Sequence, residues 1–582
     1  MARLAIILHR GSPGPKELRL SHILDFFGVP WTAVDASHFA DLDRSPLEYA
    51  VFGSVQAIAV ALKQRQRPSS PLLRPGVFYA YADDERGPCE RALQFLLGNA
   101  NLSLHEVPPG NLSLNVSSEL ADIVGPMAGL EVSVRGRNGD AVLIGAGAEG
   151  KSMFSPIISA AGAPIFLQSQ HDNSSIFLCT SSQMVDIDQP VGQGFYDVKE
   201  HFCSVVPLVM FIRLIFPDVA WRPQELGACL IIDDPLLRSR YGFCDFAKLR
   251  DLMRRHEFTT NIAFIPWNWR RTSRAAGDFF REESELFSVS IHGCDHTASE
   301  FGTTSLEVLH ARAQLAQFRM RNHESRTGVH HDEIMIFPQG VFSSACPEVL
   351  KRDGFLAAVN TEVVPADFGN ARTRIRDVWD VAVMSYGDFP TFSRRYAFHG
   401  LENFAFDFLL GKPCLIVAHH GFFKDGGTGL IELIEKLHSL NCSLQWRSLG
   451  EVIRRACRRR VTNAGGAEVE MYGAELLIDN PSDRVLEVKI HKREAHADLI
   501  SEVLCDRKPV TWETEGDCIA FEERILPRSQ GRVQVFYREQ ADSPKLRRSL
   551  RYEISVALRR ILSEMRDGYL SKSRLLAPLS RC

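Results

Sequence analysis

The sequence predicts a mixed α/β protein of several domains, centred on a distorted (β/α) barrel over residues 226–456. An α/β region precedes the barrel and a C-terminal β-sandwich follows it. Three observations lead there. The chain has 582 residues, too many for one hydrophobic core and enough for about three domains. From Leu226 onward, short apolar runs alternate with helix-periodic segments, the rhythm of a parallel β/α barrel. After Arg460 the pattern becomes strands of alternating polarity separated by turn residues.

Taken in order, residues 1–120 alternate short apolar runs with helical stretches, Leu4–Leu8, then Leu18–Phe27, then Tyr49–Leu62, then Leu93–Leu97, which predicts an α/β layer. Residues 121–225 carry shorter strand-like runs, Leu130–Val134, Ala141–Ile144 and Ser175–Cys179, then a helix over Tyr196–Ile215. Barrel strands are predicted at Ala228–Ile232, Asn261–Ile265, Phe287–Ile291, Ile334–Phe337, Ala357–Asn360 and Cys414–Ala418. Phe246–His256 and Leu306–Met320 are helices between them. The sandwich expected over 461–540 includes Val469–Tyr472, Leu476–Asn480, Val485–His491 and Val533–Tyr537.

The last segment, 545–575, is a basic amphipathic helix. Leu550, Ile554, Leu558, Ile561, Leu562 and Met565 recur at helical spacing among Lys545, Arg547, Arg548, Arg551, Arg559, Arg560 and Arg566. Such a helix docks its apolar stripe on another domain or a second subunit, or lies on an anionic membrane surface.

Composition narrows the classes. The formal net charge of -4 gives no general attraction to nucleic acid. Thirteen cysteines are scattered without a C-x-x-C pair, which disfavours a zinc ribbon or a disulfide framework and suits a reducing compartment. The first apolar run is too short for a signal peptide, and Val205–Phe216 contains Arg213 and is too short to span a bilayer. The expected location is cytoplasmic, peripheral at the inner membrane face at most.

Chemistry concentrates at three predicted strand ends. His292 and His296 stand four residues apart directly after an apolar strand, a spacing that turns two imidazoles toward one cation. Asp233 and Asp234 end the Leu230–Ile232 run, where adjacent carboxylates repel and lose hydration unless a cation relieves them. His419 and His420 end Cys414–Ala418. In a barrel all three clusters fall on the C-terminal face, where such folds place their active sites.

In this order the residues resemble the polysaccharide deacetylase (NodB-like) family of carbohydrate esterases. The resemblance runs through Ile231-Ile232-Asp233-Asp234, His292-x-x-x-His296, Phe337-Pro338-Gln339-Gly340, Asp377-Val378-Trp379, His419 and Trp446-Arg447-Ser448-Leu449. It implies a divalent metal, most often zinc, on Asp234, His292 and His296, with no other cofactor. It implies Asp233 as the base for an attacking water, His419 as the acid for the departing amine, and a backbone N–H near Gln339 on the oxyanion. Substrate contacts fall to Pro338, Gln339, Asp377 and Trp379, the last walling the acyl pocket, while Trp267 and Trp269 either offer faces for a sugar or pack in the core or loop. The implied reaction removes an N-acetyl or other small N-acyl group from an amino-sugar glycan or glycan precursor, in surface polysaccharide synthesis.

The sequence departs from the family at Ile336, where an arginine usually orients the base, at Gln339 in place of an aromatic, and at Gly293 in place of Ser or Thr. Arg238 or Arg240 is the expected substitute cation; without one, the barrel is slow, altered in substrate or catalytically dead, the last leaving a non-catalytic carbohydrate-binding protein. Two further patterns compete. Gly145–Ser152 fits the G-x-x-x-x-G-K-[ST] phosphate loop and requires a helix from Lys151. His330-His331-Asp332-Glu333 reads as a solvated turn.

Overall fold

The computed structural model describes residues 2–42, 48–65, 76–145, 154–191, 194–367, 373–462, 465–538 and 549–568. Their chain forms two compact units.

The second unit comprises Pro190–Tyr196, Pro223–Ser439 and the chain from Ser443 onward. Its centre is a parallel sheet that nearly closes into a barrel. The strand order is Thr391–Ser393, Ala357–Asn360, Ile334–Ile336, Phe287–His292, Thr260–Phe264, Leu226–Asp233, Cys414–Ala418 and Arg395–Tyr396. Leu444–Trp446 adds a pairing to the start of the Leu226–Asp233 strand. The strands read as continuous apolar runs because helices cover one face while the barrel interior buries the other. Caps fix the helix starts: the Asp245 side chain accepts from Lys248 N–H ahead of Phe246–His256, and Ser305 accepts from Val308 N–H ahead of Leu306–Thr327.

All six barrel strands expected from sequence are present, within about two residues at their ends. Thr391–Tyr396 was not expected. This one segment supplies both ends of the sheet: Thr391–Ser393 pairs with Ala357–Asn360, and Arg395–Tyr396 pairs with Cys414–Ala418. Arg394 sits between the two pairings.

Beyond the barrel, Cys457–Val461, Ala467–Met471, Leu486–Arg493, Cys518–Ile525 and Glu513–Glu515 form one sheet. Glu475–Asn480, Ser529–Tyr537, Ile500–Cys505 and Lys508–Pro509 form another. Alternate residues from both, including Val469, Ile478, Ile490, Val503, Phe521 and Val533, share one hydrophobic cluster. The last element is the helix Leu550–Gly568.

The first unit comprises residues up to Gln189 with Asp197–Arg222 and Leu440–Cys442. The division expected at residue 120 is absent. A nine-stranded sheet runs from Trp31–Asp35 through Leu4–His9, Tyr49–Ser54, Val77–Tyr81, Ser174–Cys179, Ala163–His171, Phe154–Ala160 and Gly110–Val116 to Glu131–Gly136. The early βα units give its parallel half, and the later hairpins add antiparallel strands to the same sheet. The expected helix leading out of this region is shorter than predicted, Phe202–Ile215.

Residues 146–152 of the phosphate-loop pattern lie outside the described residues. The chain resumes as the strand Phe154–Ala160, paired with Ala163–His171, where phosphate cradling needs a helix. No helix among the described residues is long and apolar enough to cross a membrane.

Candidate metal centre

Asp233 ends its strand fully enclosed, and Asp234 follows it with φ +78°. This backbone turn sends the two adjacent carboxylates to different partners. His292 closes the neighbouring Phe287–His292 strand, its Nδ1 3.0 Å from the Ile336 carbonyl oxygen. That contact fixes Nδ1 as the donor and leaves Nε2 as the free lone pair, the usual arrangement for a metal-ligating imidazole. His292 Nε2 lies 3.4 Å and His296 Nε2 2.9 Å from Asp234 Oδ1. One ligand atom from each of the three residues lies within 4.8 Å of the other two.

Asp234 Oδ1 is buried and has no aligned hydrogen-bond donor. A carboxylate oxygen facing two imidazole nitrogens in this way is poorly satisfied by the protein alone and suits a cation. The electrostatics agree. Burial opposes ionisation of Asp234, but His296 and His292 outweigh it and hold the carboxyl well below its usual range. His292 is buried too, yet Asp234 and Asp233 lift its pKa above that of an ordinary imidazole. The donor set of one carboxylate and two imidazoles fits zinc, with positions left open.

Asp233 takes a different partner. Arg394 Nη1 and Nη2 donate to Asp233 Oδ1 and Oδ2, both at 2.7 Å, and the two side chains are 4% and 5% exposed. Burial would raise the Asp233 pKa, but Arg394, His292 and His419 overcome it and keep the carboxylate ionised. The substitute expected at Arg238 or Arg240 is therefore corrected: Arg238 is exposed, and Arg240 pairs with Asp245 at 2.8 Å. The cation arrives on the segment that closes the barrel. The adjacent Arg395 is itself paired with Asp407.

The loop carrying the histidines is organised by a residue the sequence reading missed. Glu300, 1% exposed, accepts backbone N–H bonds from Cys294 at 3.0 Å, Asp295 at 2.8 Å and His296 at 3.1 Å. Cys294, Asp295 and Glu300 also lie close enough to suggest ligands. Glu300 is instead occupied by these amides, and Asp295 by Arg319 at 2.6 Å and the Tyr552 hydroxyl at 2.9 Å. Gly293 has φ +63°, and a Cβ there would stand 2.4 Å from Pro338 Cγ and 2.6 Å from Glu300 Oε2. No side chain fits, which accounts for the missing Ser or Thr. Positive φ recurs at Asp234, His296 and Gln339, so backbone strain of about 1–3 kcal/mol per residue collects on the candidate site.

Pro338 and Gln339 form a tight turn after Ile334–Ile336, with Pro338 against Gly293 and Gln339 exposed. His419 is exposed at the end of Cys414–Ala418, its ring centroid 6.3 Å from that of Tyr396. Four expected contacts sit elsewhere. Asp377 accepts from Arg374 N–H at 2.7 Å and caps the short helix Ile375–Trp379. Trp379 is 1% exposed and packs edge-on to Tyr196 and Phe406, so its ring belongs to the core rather than to an open pocket wall. Trp267 and Trp269 are half-buried with the Arg271 and Arg270 guanidinium groups over their rings, not free faces for a sugar. The turn at His330–Glu333 is only partly solvated: the His331 side chain is 4% exposed and bonded to Glu324, and Asp332 bonds Arg454.

The C-terminal helix lies against this site. Arg560 Nη2 is 3.4 Å from His296 Nδ1, and the Tyr241 hydroxyl donates to Asp567 at 2.8 Å.

No family model matches the chain, and no curated protein matches it. Solved structures that resemble it include a protein assigned as a polysaccharide deacetylase from Mycobacterium smegmatis, at 12% identity and a TM-score of 0.27, covering 40% of this chain and 92% of that one. A family 4 acetyl xylan esterase from Clostridium thermocellum, in complex with cobalt, matches at 11% identity and a TM-score of 0.23, over 39% of this chain and 89% of its own. A Streptococcus mutans CE4 esterase matches at 11% identity and 0.24, over 38% and 86%. Likeness this distant decides no activity, and the reading below rests on the site's own geometry.

Proposed function

We propose that the barrel is a metal-dependent hydrolase that removes an N-acetyl, or another small N-acyl, group from an amino sugar. The observation that carries this is the pair of unlike fates of two adjacent carboxylates. Asp234 faces two imidazoles, and Asp233, one residue away, is held ionised by a buried arginine. A structural metal site has no need of the second arrangement.

Asp234, His292 and His296 would hold the ion, taken as zinc, which supplies Lewis acidity toward the acyl carbonyl. Asp233 accepts a proton from the water that attacks the acyl carbon, and Arg394 keeps it ionised and oriented for that task. A backbone N–H near Gln339 would stabilise the developing oxyanion. His419, at the open rim, gives its proton to the amine nitrogen as the C–N bond breaks, leaving acetate and a free amine. The substrate in this reading is a nucleotide-linked or lipid-linked glycan precursor, met in the cytoplasm during synthesis of a surface polysaccharide. The binding-only alternative loses its main support, because the cation absent at Ile336 is supplied by Arg394.

The test is acetate release from a panel of N-acetylated sugars by wild type and Asp233→Asn, with metal content determined for each. The expected result is metal-dependent release by the wild type and a loss of about a hundredfold or more in the variant, with metal retained. A folded protein that takes up no zinc under replete conditions sinks the assignment.

A further inference from the structure

The C-terminal helix Leu550–Gly568 is inside out. An amphipathic helix normally turns its apolar stripe to the protein and its charges to water. Here Leu550, Ile554, Leu558, Ile561, Leu562 and Met565 are 80%, 53%, 55%, 49%, 63% and 51% exposed. On a helical wheel they fill about a third of the circumference. The expectation that this stripe docks on a neighbouring domain is corrected by those exposures.

Besides the buried Val556, what faces the barrel is polar. Tyr552 reaches Asp295, Arg560 reaches His296, Glu564 pairs with Arg271, and Asp567 accepts from Tyr241 and lies 3.5 Å from His420. These contacts over-determine the orientation, so the apolar stripe cannot roll inward without breaking them all.

The charges are sorted as well. The helix's three acids, Glu553, Glu564 and Asp567, share the inner side of the wheel with Arg560. Glu553 is half-exposed, and the other two are engaged as described. Arg551, Arg559 and Arg566 instead border the apolar stripe, and with Ile554, Leu558 and Leu562 they line one shallow groove along the helix. An apolar strip edged along one side by three arginines, with Glu564 on its other side held by Arg271, complements an interface of acyl chains under anionic headgroups. A second protein surface would have to match an unbroken apolar strip with acids along one edge only, whereas a bilayer needs no such register.

We propose that the outer face of this helix docks the protein on an anionic lipid bilayer, with the helix lying in the interface plane and the candidate metal centre directly beneath it. The surface is independent of the reaction assigned to the barrel.

The test is co-sedimentation of the metal-loaded full chain with vesicles of phosphatidylcholine alone or of phosphatidylcholine mixed with phosphatidylglycerol. Wild type should pellet with the mixed vesicles only, and high salt should release it. Leu558→Glu with Leu562→Glu should abolish pelleting. Arg551→Gln with Arg559→Gln should weaken it by about thirtyfold, roughly fivefold for each arginine. Unchanged circular dichroism and zinc content in both variants exclude misfolding as the cause. Failure to pellet with either vesicle overturns the proposal, as does equal pelleting with neutral vesicles. A concentration-dependent dimer that the leucine variant abolishes, with no vesicle binding by wild type, assigns the stripe to a second copy and also overturns it.

Discussion

Arg394 and Asp233 form a fully desolvated ion pair, and such a pair behaves asymmetrically. Together the two charges satisfy each other through two parallel hydrogen bonds; removing one strands the other in the barrel interior. Arg394→Met should therefore destabilise the barrel by about 3–5 kcal/mol. Adding Asp233→Asn to that variant should recover much of the loss, because the stranded carboxylate is gone. Denaturant unfolding of the two single variants and the double variant measures this coupling. A loss below about 1 kcal/mol for Arg394→Met, the range of exposed pairs, would mean that water reaches the site and that Asp233 needs no such partner.

At the scale of elements, the sequence was readable where one physical rule dominated. Strands buried on both faces must be apolar, so the runs ending at Asp233, His292 and His419 announced themselves, and the candidate ligands Asp234, His292 and His296 came with them. Thr391–Tyr396 was silent because its two pairings are three and two residues long and it carries two arginines, which read as a loop. Glu300 was equally silent: its work is on backbone amides, which leave no trace in side-chain spacing. The Leu306–Thr327 helix hides a similar case in His323. The ring is fully buried, its centroid 4.9 Å from that of Phe264 and its Nε2 2.9 Å from Thr272 Oγ1. Burial, helped by Arg326 and His331, pushes its pKa from 6.5 down to about 4. Between those values the unfolded chain binds the proton and the folded one does not. The contribution is thus complete above pH 6.5 and is lost as pH falls toward 4, by up to about 3 kcal/mol. His201 in the other unit, lowered to about 4 by burial, carries the same sign, so the informative quantity is a difference. His323→Gln should show a shallower loss of stability between pH 7 and pH 4.5 than wild type; parallel curves would mean that His323 is protonated in the fold.

For the whole molecule, the two units place the proposed metal centre in a defined part of the chain. Each has its own core: Ile6, Val51, Phe78 and Leu178 belong to one cluster in the first unit, and Ile231, Ile336, Val359 and Leu415 to one in the second. All three proposed ligands belong to the second unit. A ligand that binds only the native state stabilises that state by mass action, about 2.7 kcal/mol at a hundred times its dissociation constant. Zinc should therefore raise the unfolding temperature of the barrel unit and leave the first unit's transition in place. Scanning calorimetry would measure the shift, with hydrogen exchange on the Leu226–Asp233 and Leu4–His9 strands assigning each transition. Asp234→Asn should remove the shift, because it takes away the one anionic ligand, whereas Asp233→Asn should keep it. A zinc shift that survives Asp234→Asn would move the metal off this trio. A shift confined to the first unit would move it out of the barrel altogether, and Asp233 would then be left as a buried carboxylate paired with arginine for stability alone.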